Sequence, residues 1–463
     1  MSTGTAQRQL GVRHAMSMCV GMVIGAGIFR SAPNVADSLA GVDILSLHLS
    51  GANELFLLWV LGGVLSLVGA LCFAEMAAAF PHAGGDYFFL SRAYGKRVAL
   101  LFAWSRFSVI HTGSMAMLAI LFGDYLRQVV DFGPYTSMAF GLLAITLLVA
   151  LNLRGIRIGL GTQLAFMGVV LFGLACVGLG GLWQELHGVA PLTPMAGPVA
   201  PGGPRAGAGQ ALVFILLAYG GWSDAATLSS DMKDEKRGIV LALMGGMSII
   251  AALYLCANWG YLRVLGFDGL AASRAPAADL MRAAFGRPGE LLIVFTVAMT
   301  SVSVMNAILI AGARTTWAAA RDLTGVEALG AWDEQRGTPP GALLAMGGVA
   351  LALVAATSLT EVAFQDAGGS PFAKIVEYLT PVFWVFLSLS AIAVIRLRRS
   401  DPHAERHFRV PFYPWTPILF AASCLYMVYT TLEYTITTGK AWALASVGVL
   451  AVGAVLLLPR RKK

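Results

Sequence analysis

The stretch Val23-Ile24-Gly25-Ala26-Gly27-Ile28-Phe29 lies in the middle of the first long apolar run of the chain, at about residues 14–36. Two glycines one residue apart disfavour a continuous helix, since each costs roughly 1 kcal/mol relative to Ala. Inside a bilayer, an interrupted helix persists only where its unpaired backbone groups are buried in protein or line a cavity. A helix that begins after the break presents unpaired N–H groups and a positive dipole end to an anion. The sequence therefore predicts a carboxylate-binding site at mid-membrane depth.

The composition of the chain indicates a membrane protein. Of the 463 residues, 57% are hydrophobic and 12% are charged, and the mean hydropathy is +0.73. Soluble domains carry about 25% charged residues, so we expect one transmembrane domain over residues 1–463. The net charge of +7 comes from short loops rather than one basic stripe, which argues against nucleic acid as a partner. The five cysteines lie inside apolar runs without metal-ligand spacing, so we expect no metal centre and no cofactor.

Twelve apolar stretches are long enough to cross the hydrocarbon core of a bilayer, which takes about 20 helical residues. An even number of crossings places both termini on the same side of the membrane. The loops on that side hold most of the Lys and Arg residues, so we predict a plasma-membrane protein with both termini cytoplasmic. The predicted spans cover approximately residues 14–36, 55–79, 97–127, 134–153, 158–186, 208–229, 238–262, 289–319, 340–359, 372–396, 414–437 and 441–459.

The sixth span repeats the unusual feature of the first. Ala218-Tyr219-Gly220-Gly221-Trp222 places a second glycine pair inside an apolar run. Paired interruptions in two halves of a chain mark the substrate site of transporters built from inverted repeats. We therefore predict a first repeat over residues 14–186, a second over residues 208–396 and two additional helices over residues 414–459. Close helix packing through small residues is the alternative explanation of both glycine pairs.

Several elements of the chain resemble those of the amino acid–polyamine–organocation superfamily of amino acid permeases, in particular its L-type amino acid transporter branch. They occur in the order and spacing of that family, and the resemblance covers roughly residues 10–400. The elements are Gly25-Ala26-Gly27-Ile28-Phe29, Gly69 to Met76, Pro81 to Tyr87, Ala218 to Trp222, and Met305-Asn306 through Arg314 to Arg321-Asp322.

This resemblance implies an all-α polytopic membrane protein of about twelve helices, with a LeuT-type five-plus-five inverted repeat and broken helices 1 and 6. It implies a secondary active transporter, a permease or an exchanger, that moves amino acids by alternating access between the two sides of the membrane. The substrate α-carboxylate would meet the N–H groups of Ala26 and Gly27, next to Gly25. The α-ammonium would meet carbonyl groups of Leu217, Ala218 and Gly220, and the substrate side chain would face Val23, Leu217, Tyr219 and Ser223.

Other positions leave the selectivity and the coupling open. Leu217 stands where the branch commonly has an aromatic gate, and Trp222 is either a gate or a packed wedge. Many relatives have a lysine in the fifth span, and aligning that span places Val170 there. Ser301 and Ser303 are candidate Na⁺ ligands, although small hydroxyls in such helices also serve packing. Proton symport, sodium symport and exchange all remain possible, and the bilayer is the one other partner expected.

Charged side chains inside apolar runs are functional candidates by default. Arg106 and His111 lie in the third span, and His111 is either a proton-responsive group or a packing residue. For Glu75, Asp224 and Arg314 we favour a structural ion pair or extension of the side chain toward the cytoplasm. Arg30 follows the first break and either lines the outer vestibule or pairs with Asp37 or Asp43.

Three other classes of function are weaker interpretations of the sequence. An intramembrane enzyme would need a nucleophile and base or a metal cluster, and the spans contain no H-E-x-x-H, G-x-S-x-G or carboxylate pair. A channel would need a filter of repeated carbonyls or a charged ring. A non-transporting amino acid sensor and a transporter of a related amine stay open as alternatives. As a test of the site we expect Gly27→Leu to abolish substrate binding without unfolding the protein.

Overall fold

The protein is helical throughout the part of the chain that its structure, a computed structural model, describes. Asp333 and Thr338 form an isolated bridge, and the described residues include no β-strand. The expectation of an all-α fold is therefore confirmed. The described residues are 11–39, 51–82, 84–155, 160–188, 207–226, 229, 232, 238–321, 326–364, 370–439 and 441–456.

The helices coincide with the apolar stretches of the sequence, and two of them bend at glycines of positive φ, Gly266 and Gly286. A π-helical turn at Arg106–Ile110 joins the fifth and sixth helices into one continuous span. In chain order the helices are α1 (Val12–Val23), α2 (Ala26–Leu39), α3 (Gly51–Ala79), α4 (Gly85–Tyr94), α5 (Lys96–Ser105), α6 (His111–Arg127), α7 (Thr136–Leu153), α8 (Leu160–Leu186), α9 (Gly207–Ala218), α10 (Trp222–Ala225), α11 (Gly238–Ala272), α12 (Pro276–Ala320), α13 (Pro340–Phe364), α14 (Pro371–Ser400), α15 (Trp415–Thr438) and α16 (Trp442–Leu456).

The described part of the chain contains nine helices that are long and apolar enough to cross a membrane. The bent pair of α1 and α2, with an angle of 41° between its halves, would make a tenth crossing. Each of the twelve predicted spans coincides with helical residues, since α9 and α10 share the sixth and the shorter α16 forms the last. The count of twelve crossings stays a prediction, as do the orientation of the chain and the boundaries of the two repeats.

Burial separates central helices from peripheral ones, which hydropathy cannot do because lipid and protein interior are both apolar. In the span Lys96–Arg127, 78% of the most apolar segment is buried, against 39% in α7. The former therefore lies in the middle of the bundle, while α7 presents much of its surface to lipid.

The two interrupted helices lie side by side in the interior. α2 packs against α9 and α11, and α1 packs against α10 and α11. At Gly27 the approach is so close that an added Cβ would lie 2.6 Å from the Cβ of Ala218. Only a glycine fits at such a contact between two backbones. The fold thus brings the two glycine-rich stretches of the sequence together.

Candidate functional site

The first interruption is two residues long. α1 ends at Val23, and the amide of Ile24 closes its last turn on the carbonyl of Val20 at 2.9 Å. Gly25 donates its N–H to the carbonyl of Val23 at 2.8 Å. α2 then begins at Ala26, and the N–H groups in the first turn of an α-helix have no partner within the helix. The break therefore presents amide donors at the start of α2.

The second interruption covers Tyr219, Gly220 and Gly221. α9 ends at Ala218 and α10 begins at Trp222. The amide of Gly220 donates to the carbonyl of Leu217 at 2.9 Å. Gly221 has a φ of +104°, a left-handed conformation that glycine adopts without steric cost. The helix is interrupted here, which leaves carbonyl groups at the end of α9 without α-helical partners.

A tyrosine of α11 links the two interruptions. The hydroxyl of Tyr254 lies 3.3 Å from the carbonyl oxygen of Val23 and 3.1 Å from that of Ala218. One phenol hydrogen serves both acceptors, so the hydrogen bond is shared between the end of α1 and the end of α9. The side chain of Tyr254 is fully buried. Nothing in the sequence pattern marked this residue, because a buried tyrosine in an apolar run is common.

A cavity of about 780 Å³ lies against both interruptions. A volume of this size is typical of sites for small molecules. The residues predicted to bind substrate that line it are Val23, Gly25, Gly27, Leu217, Ala218, Gly220 and Ser223.

Two predicted site residues lie away from the cavity wall. Tyr219 is buried against Trp59, with its hydroxyl 3.3 Å from the Trp59 carbonyl oxygen. Trp222 packs edge-on against Phe73, at 5.1 Å between ring centroids, and against Phe420. Of the two interpretations of Trp222, the structure favours the packed wedge. The backbone of Ala26 opens α2, while its side chain lies outside the described part.

Of the residues considered for coupling transport to an ion, some line the cavity and others do not. Ser303 lines the cavity. Ser301 does not line it; this residue is fully buried, and its hydroxyl has no hydrogen-bond partner in the described structure. Val170 lies at the cavity wall, so the position aligned with the lysine of many relatives is apolar here. Among the described residues, no group of three or more His, Cys, Asp or Glu side chains is placed to bind a metal ion.

A charged cluster forms one wall of the cavity. Arg106 donates through Nη2 to Oδ1 of Asp224 and through Nε to Nε2 of His111, the latter at 2.9 Å. All three residues line the cavity. The ion pair expected for Asp224 thus exists, and it lies at the candidate site. The sequence flagged each residue as an intramembrane polar group without indicating that they meet.

The other intramembrane charges have different surroundings. Glu75 accepts hydrogen bonds from Arg398 Nε and from the Val410 amide, both at 2.7 Å, which agrees with the structural ion pair expected for it. Arg314 lines the cavity and has no ion-pair partner among the described residues. Arg30 is buried 3.6 Å from Asp124 and donates to the carbonyl of Ser273 at 3.1 Å. Asp124 is a partner that the sequence did not suggest, and Asp43 lies outside the described part.

The cavity extends from the interruptions toward one end of the bundle. Its wall includes Ser17 and Met18 in the middle of α1, and Thr315 and Ala319 in the last turns of α12. On the other side of the break the chain is buried. There Phe29 packs edge-on against Tyr125, whose hydroxyl donates to the Phe29 carbonyl at 3.0 Å. The cavity thus lies on the side of the break on which α1 begins, while α2 and α6 are in contact on the opposite side.

Comparison with known proteins identifies one family and several relatives of this chain. The model of a family described as amino acid permeases matches residues 10–453. A serine/threonine exchanger of Bacillus subtilis is 25% identical over 433 residues, which cover 92% of this chain and 91% of the exchanger. The human b(0,+)-type amino acid transporter 1 is 25% identical over 92% of this chain and 83% of its own length. The human cystine/glutamate transporter is 24% identical, with 96% and 84% covered.

Among solved structures, a manganese transporter of Eremococcus coleocola is similar, with a TM-score of 0.58 over 99% of this chain and 98% of the other. The sequences are 14% identical, so this likeness concerns the fold alone.

Proposed function

The chain belongs to the amino acid permease family, and on this basis we propose that it carries amino acids across a membrane by alternating access, with the substrate held between the two interrupted helices. It is a multi-pass membrane transporter rather than an enzyme. The observation that carries the proposed site is a cavity that contacts both interruptions. An amino acid needs donors for its carboxylate and acceptors for its ammonium group, and the two breaks present one kind each.

The carboxylate would bind at the start of α2, where the N–H groups of Ala26 and Gly27 have no helical acceptors. The ammonium group would bind at the end of α9. The carbonyls of Leu217 and Ala218 already accept from Gly220 and Tyr254, but a carbonyl oxygen has two lone pairs and can accept a second hydrogen bond. Both groups of the zwitterion would therefore replace the water that these backbone groups otherwise require.

We infer that the cavity opens toward the side on which α1 begins, the side of the N-terminus. The Lys- and Arg-rich loops support a cytoplasmic location of that side, and we place the protein in the plasma membrane with both termini inside. Opening to the other side would require separation of Phe29 from Tyr125 and of Arg30 from Asp124. These contacts join α2 to α6, so the seal closes or opens as those helices move relative to each other.

Uptake of radiolabelled amino acids into proteoliposomes tests the proposal. Vesicles are prepared empty or preloaded with unlabelled amino acids, each with and without a gradient of pH or sodium. Uptake only into preloaded vesicles means exchange, and gradient-driven uptake into empty vesicles means symport with that ion. Binding without uptake in any condition would favour the sensor alternative, and neither binding nor uptake would refute the proposal.

A variant that fills the cavity tests the site itself. A Cβ added at Gly25 would lie 3.9 Å from Val304 Cγ1, an ordinary contact, so Gly25→Ala fits. Gly25→Leu would extend a side chain into the cavity beside the carboxylate position. We expect Gly25→Leu to lose uptake and Gly25→Ala to keep most of it, with both variants stably folded. Normal uptake by Gly25→Leu would move the substrate site elsewhere.

A further inference from the structure

The π-helical turn in the third span places two polar side chains together. Five residues cover about 1.4 turns of an α-helix, so positions 106 and 111 would point in different directions on a regular helix. In the turn Arg106–Ile110, the amide of His111 donates to the carbonyl of Arg106 across five residues, which is the spacing of a π-helix. Arg106 and His111 then lie one turn apart on one side, where the 2.9 Å hydrogen bond forms.

The hydrogen bond between these residues fixes the charge state of the group. Arg106 Nε donates to His111 Nε2, so Nε2 carries no proton and the imidazole is neutral with its proton on Nδ1. His111 Nδ1 is buried and has no partner in the described structure. Within this group the charges that remain are those of Arg106 and Asp224, which balance each other. The neighbouring Asp86 interacts with both, and burial raises the pKa of its carboxyl to about 7.

This cluster still has hydrogen-bonding capacity toward the cavity. A guanidinium has five N–H donors, and a carboxylate has about four acceptor positions. The contacts of Arg106 with described residues use two of the five donors. The side chains of Arg106 and Asp224 are 12% and 45% exposed, and both lie at the cavity wall. A ligand in the cavity can therefore accept from Arg106 and donate to Asp224.

The facing helix offers less. Thr300 and Thr315 of α12 line the cavity, but each donates its hydroxyl to a carbonyl of its own helix, to Thr296 at 2.7 Å and to Ala311 at 2.9 Å. Ser303 and Arg314 of α12 also line the cavity, and Arg314 is an exposed side chain in the last two turns of that helix. Among the described residues of the cavity wall, only the cluster on the third span and α10 presents a paired cation and anion.

We propose that Arg106, Asp224 and His111 form the subsite for the side chain of the transported amino acid, and that the substrates are neutral amino acids with a hydroxyl or carboxamide side chain. This inference rests on the proposed function. Such side chains both accept and donate hydrogen bonds, which matches a paired cation and anion. Beside the pair, an acidic or basic side chain would bring a charge that the balanced pair leaves uncompensated. The exposed side chain of Arg314 offsets an acidic charge only weakly. An aliphatic side chain would bury the pair without replacing its hydrogen bonds to water.

Pairs of substrates of equal shape test this selectivity in the wild-type protein. Initial rates of uptake into preloaded proteoliposomes are measured for radiolabelled threonine, valine, asparagine and aspartate. A hydrogen bond to a charged group corresponds to about tenfold to hundredfold in affinity. We therefore expect the initial rate of uptake to be at least about tenfold higher for threonine than for valine, and for asparagine than for aspartate. Equal rates within either pair would overturn the proposal. Absence of uptake and binding for every amino acid would instead refute the proposed function.

Two variants separate substrate recognition from a structural role of the ion pair. Asp224→Asn keeps the shape of the side chain and leaves the charge of Arg106 unbalanced. The ratio of the aspartate uptake rate to the asparagine uptake rate should therefore rise by about tenfold or more. The double variant Arg106→Met with Asp224→Leu removes both charges, a change that folded proteins often tolerate. It should bring the threonine-to-valine ratio of uptake rates close to one.

Arg92→Met with Asp401→Leu removes a partly exposed ion pair and serves as the control, which should keep the wild-type ratio. Unchanged substrate ratios in the cluster variants would mean that the pair only ties α10 to the third span, and the proposal would fail.

Discussion

Gly27 of α2 lies directly against the backbone of Ala218 at the end of α9. A Cβ built on Gly27 would fall 2.6 Å from the Cβ of Ala218 and 3.0 Å from its carbonyl oxygen. The space that a side chain would occupy at Gly27 is therefore filled by the other interrupted helix, not by the cavity. The expectation that Gly27→Leu leaves the fold intact is wrong for this reason, because the neighbouring atoms are the Cα, Cβ and carbonyl oxygen of Ala218, none of which can rotate away.

Gly27→Ala should destabilise the protein, whereas Gly25→Ala should not. Overpacking in a tight interior typically costs about 1–3 kcal/mol, and the cost at Gly27 falls on the contact between the two breaks. The midpoint of thermal unfolding in detergent, measured without substrate, compares the two variants. Equal midpoints would contradict the close contact of Gly27 with Ala218.

Tyr254→Phe should lower both stability and the rate of uptake, since it removes the hydrogen bond to the Ala218 carbonyl, whereas the Val23 carbonyl keeps its hydrogen bond from Gly25. An unsatisfied buried acceptor costs about 1–3 kcal/mol. Tyr261→Phe is the matched control on the same helix, because the Tyr261 hydroxyl is buried without a hydrogen-bond partner among the described residues. Thermal unfolding and initial uptake rates should change for the first variant and stay near wild type for the second. The same effect in both variants would assign the loss to packing of the ring.

Glu75→Gln should destabilise the protein more than Asp401→Asn does. Glu75 is 2% exposed and accepts from Arg398 and Val410, and removal of one partner of a buried ion pair costs about 3–5 kcal/mol. The pair of Arg92 and Asp401 is partly exposed, where such pairs contribute at most about 1 kcal/mol. Thermal unfolding of the two single variants makes the comparison. A larger loss in Asp401→Asn would contradict it.

Asp86 should make stability depend on pH. It lies on α4, which is not among the membrane-spanning helices. Burial raises the pKa of the Asp86 carboxyl to about 7. The positive charge of Arg106 lowers this pKa, and the negative charge of Asp224 raises it. The unfolded chain has the ordinary carboxyl pKa of about 3.9, so between pH 4 and 7 unfolding releases a proton and stability falls as pH rises. Above about pH 7 this contribution is constant.

Thermal unfolding of the wild type and of Asp86→Asn at pH 5.0 and 7.5 isolates this effect. Asparagine keeps the shape without a titrating proton, so the variant should lose less stability than the wild type over that interval. Parallel pH profiles of the two proteins would show that Asp86 titrates as an exposed carboxyl.

The sequence predicted the helical fold and the positions of both interruptions because glycine pairs inside apolar runs have a local physical effect. Seven of the ten predicted substrate residues line one cavity, since residues next to a break share its location. Tyr219 and Trp222 lie elsewhere because the turn at Gly221 directs successive side chains to different sides. The helical periodicity of a sequence does not predict in which direction the side chains of such a turn point.

The contacts between distant helices could not be predicted in the same way. Arg106 and Asp224 are 118 positions apart, and Arg30 lies in a different span from Asp124. Each intramembrane charge implied a partner on energetic grounds, but the choice of partner depends on how the helices pack. Apolar side chains specify that packing weakly in a chain whose outer surface is apolar as well.

The π-helical turn at Arg106–Ile110 also affects how this chain should be aligned with its relatives. The turn uses one residue more than an α-helical turn would, so a relative with a regular third span needs a one-residue gap at this place. At about 25% identity, residue similarity alone does not force that gap. An ungapped alignment would pair His111 with a residue on a different face of the relative's helix, and a substrate specificity read from that column would be assigned to the wrong position.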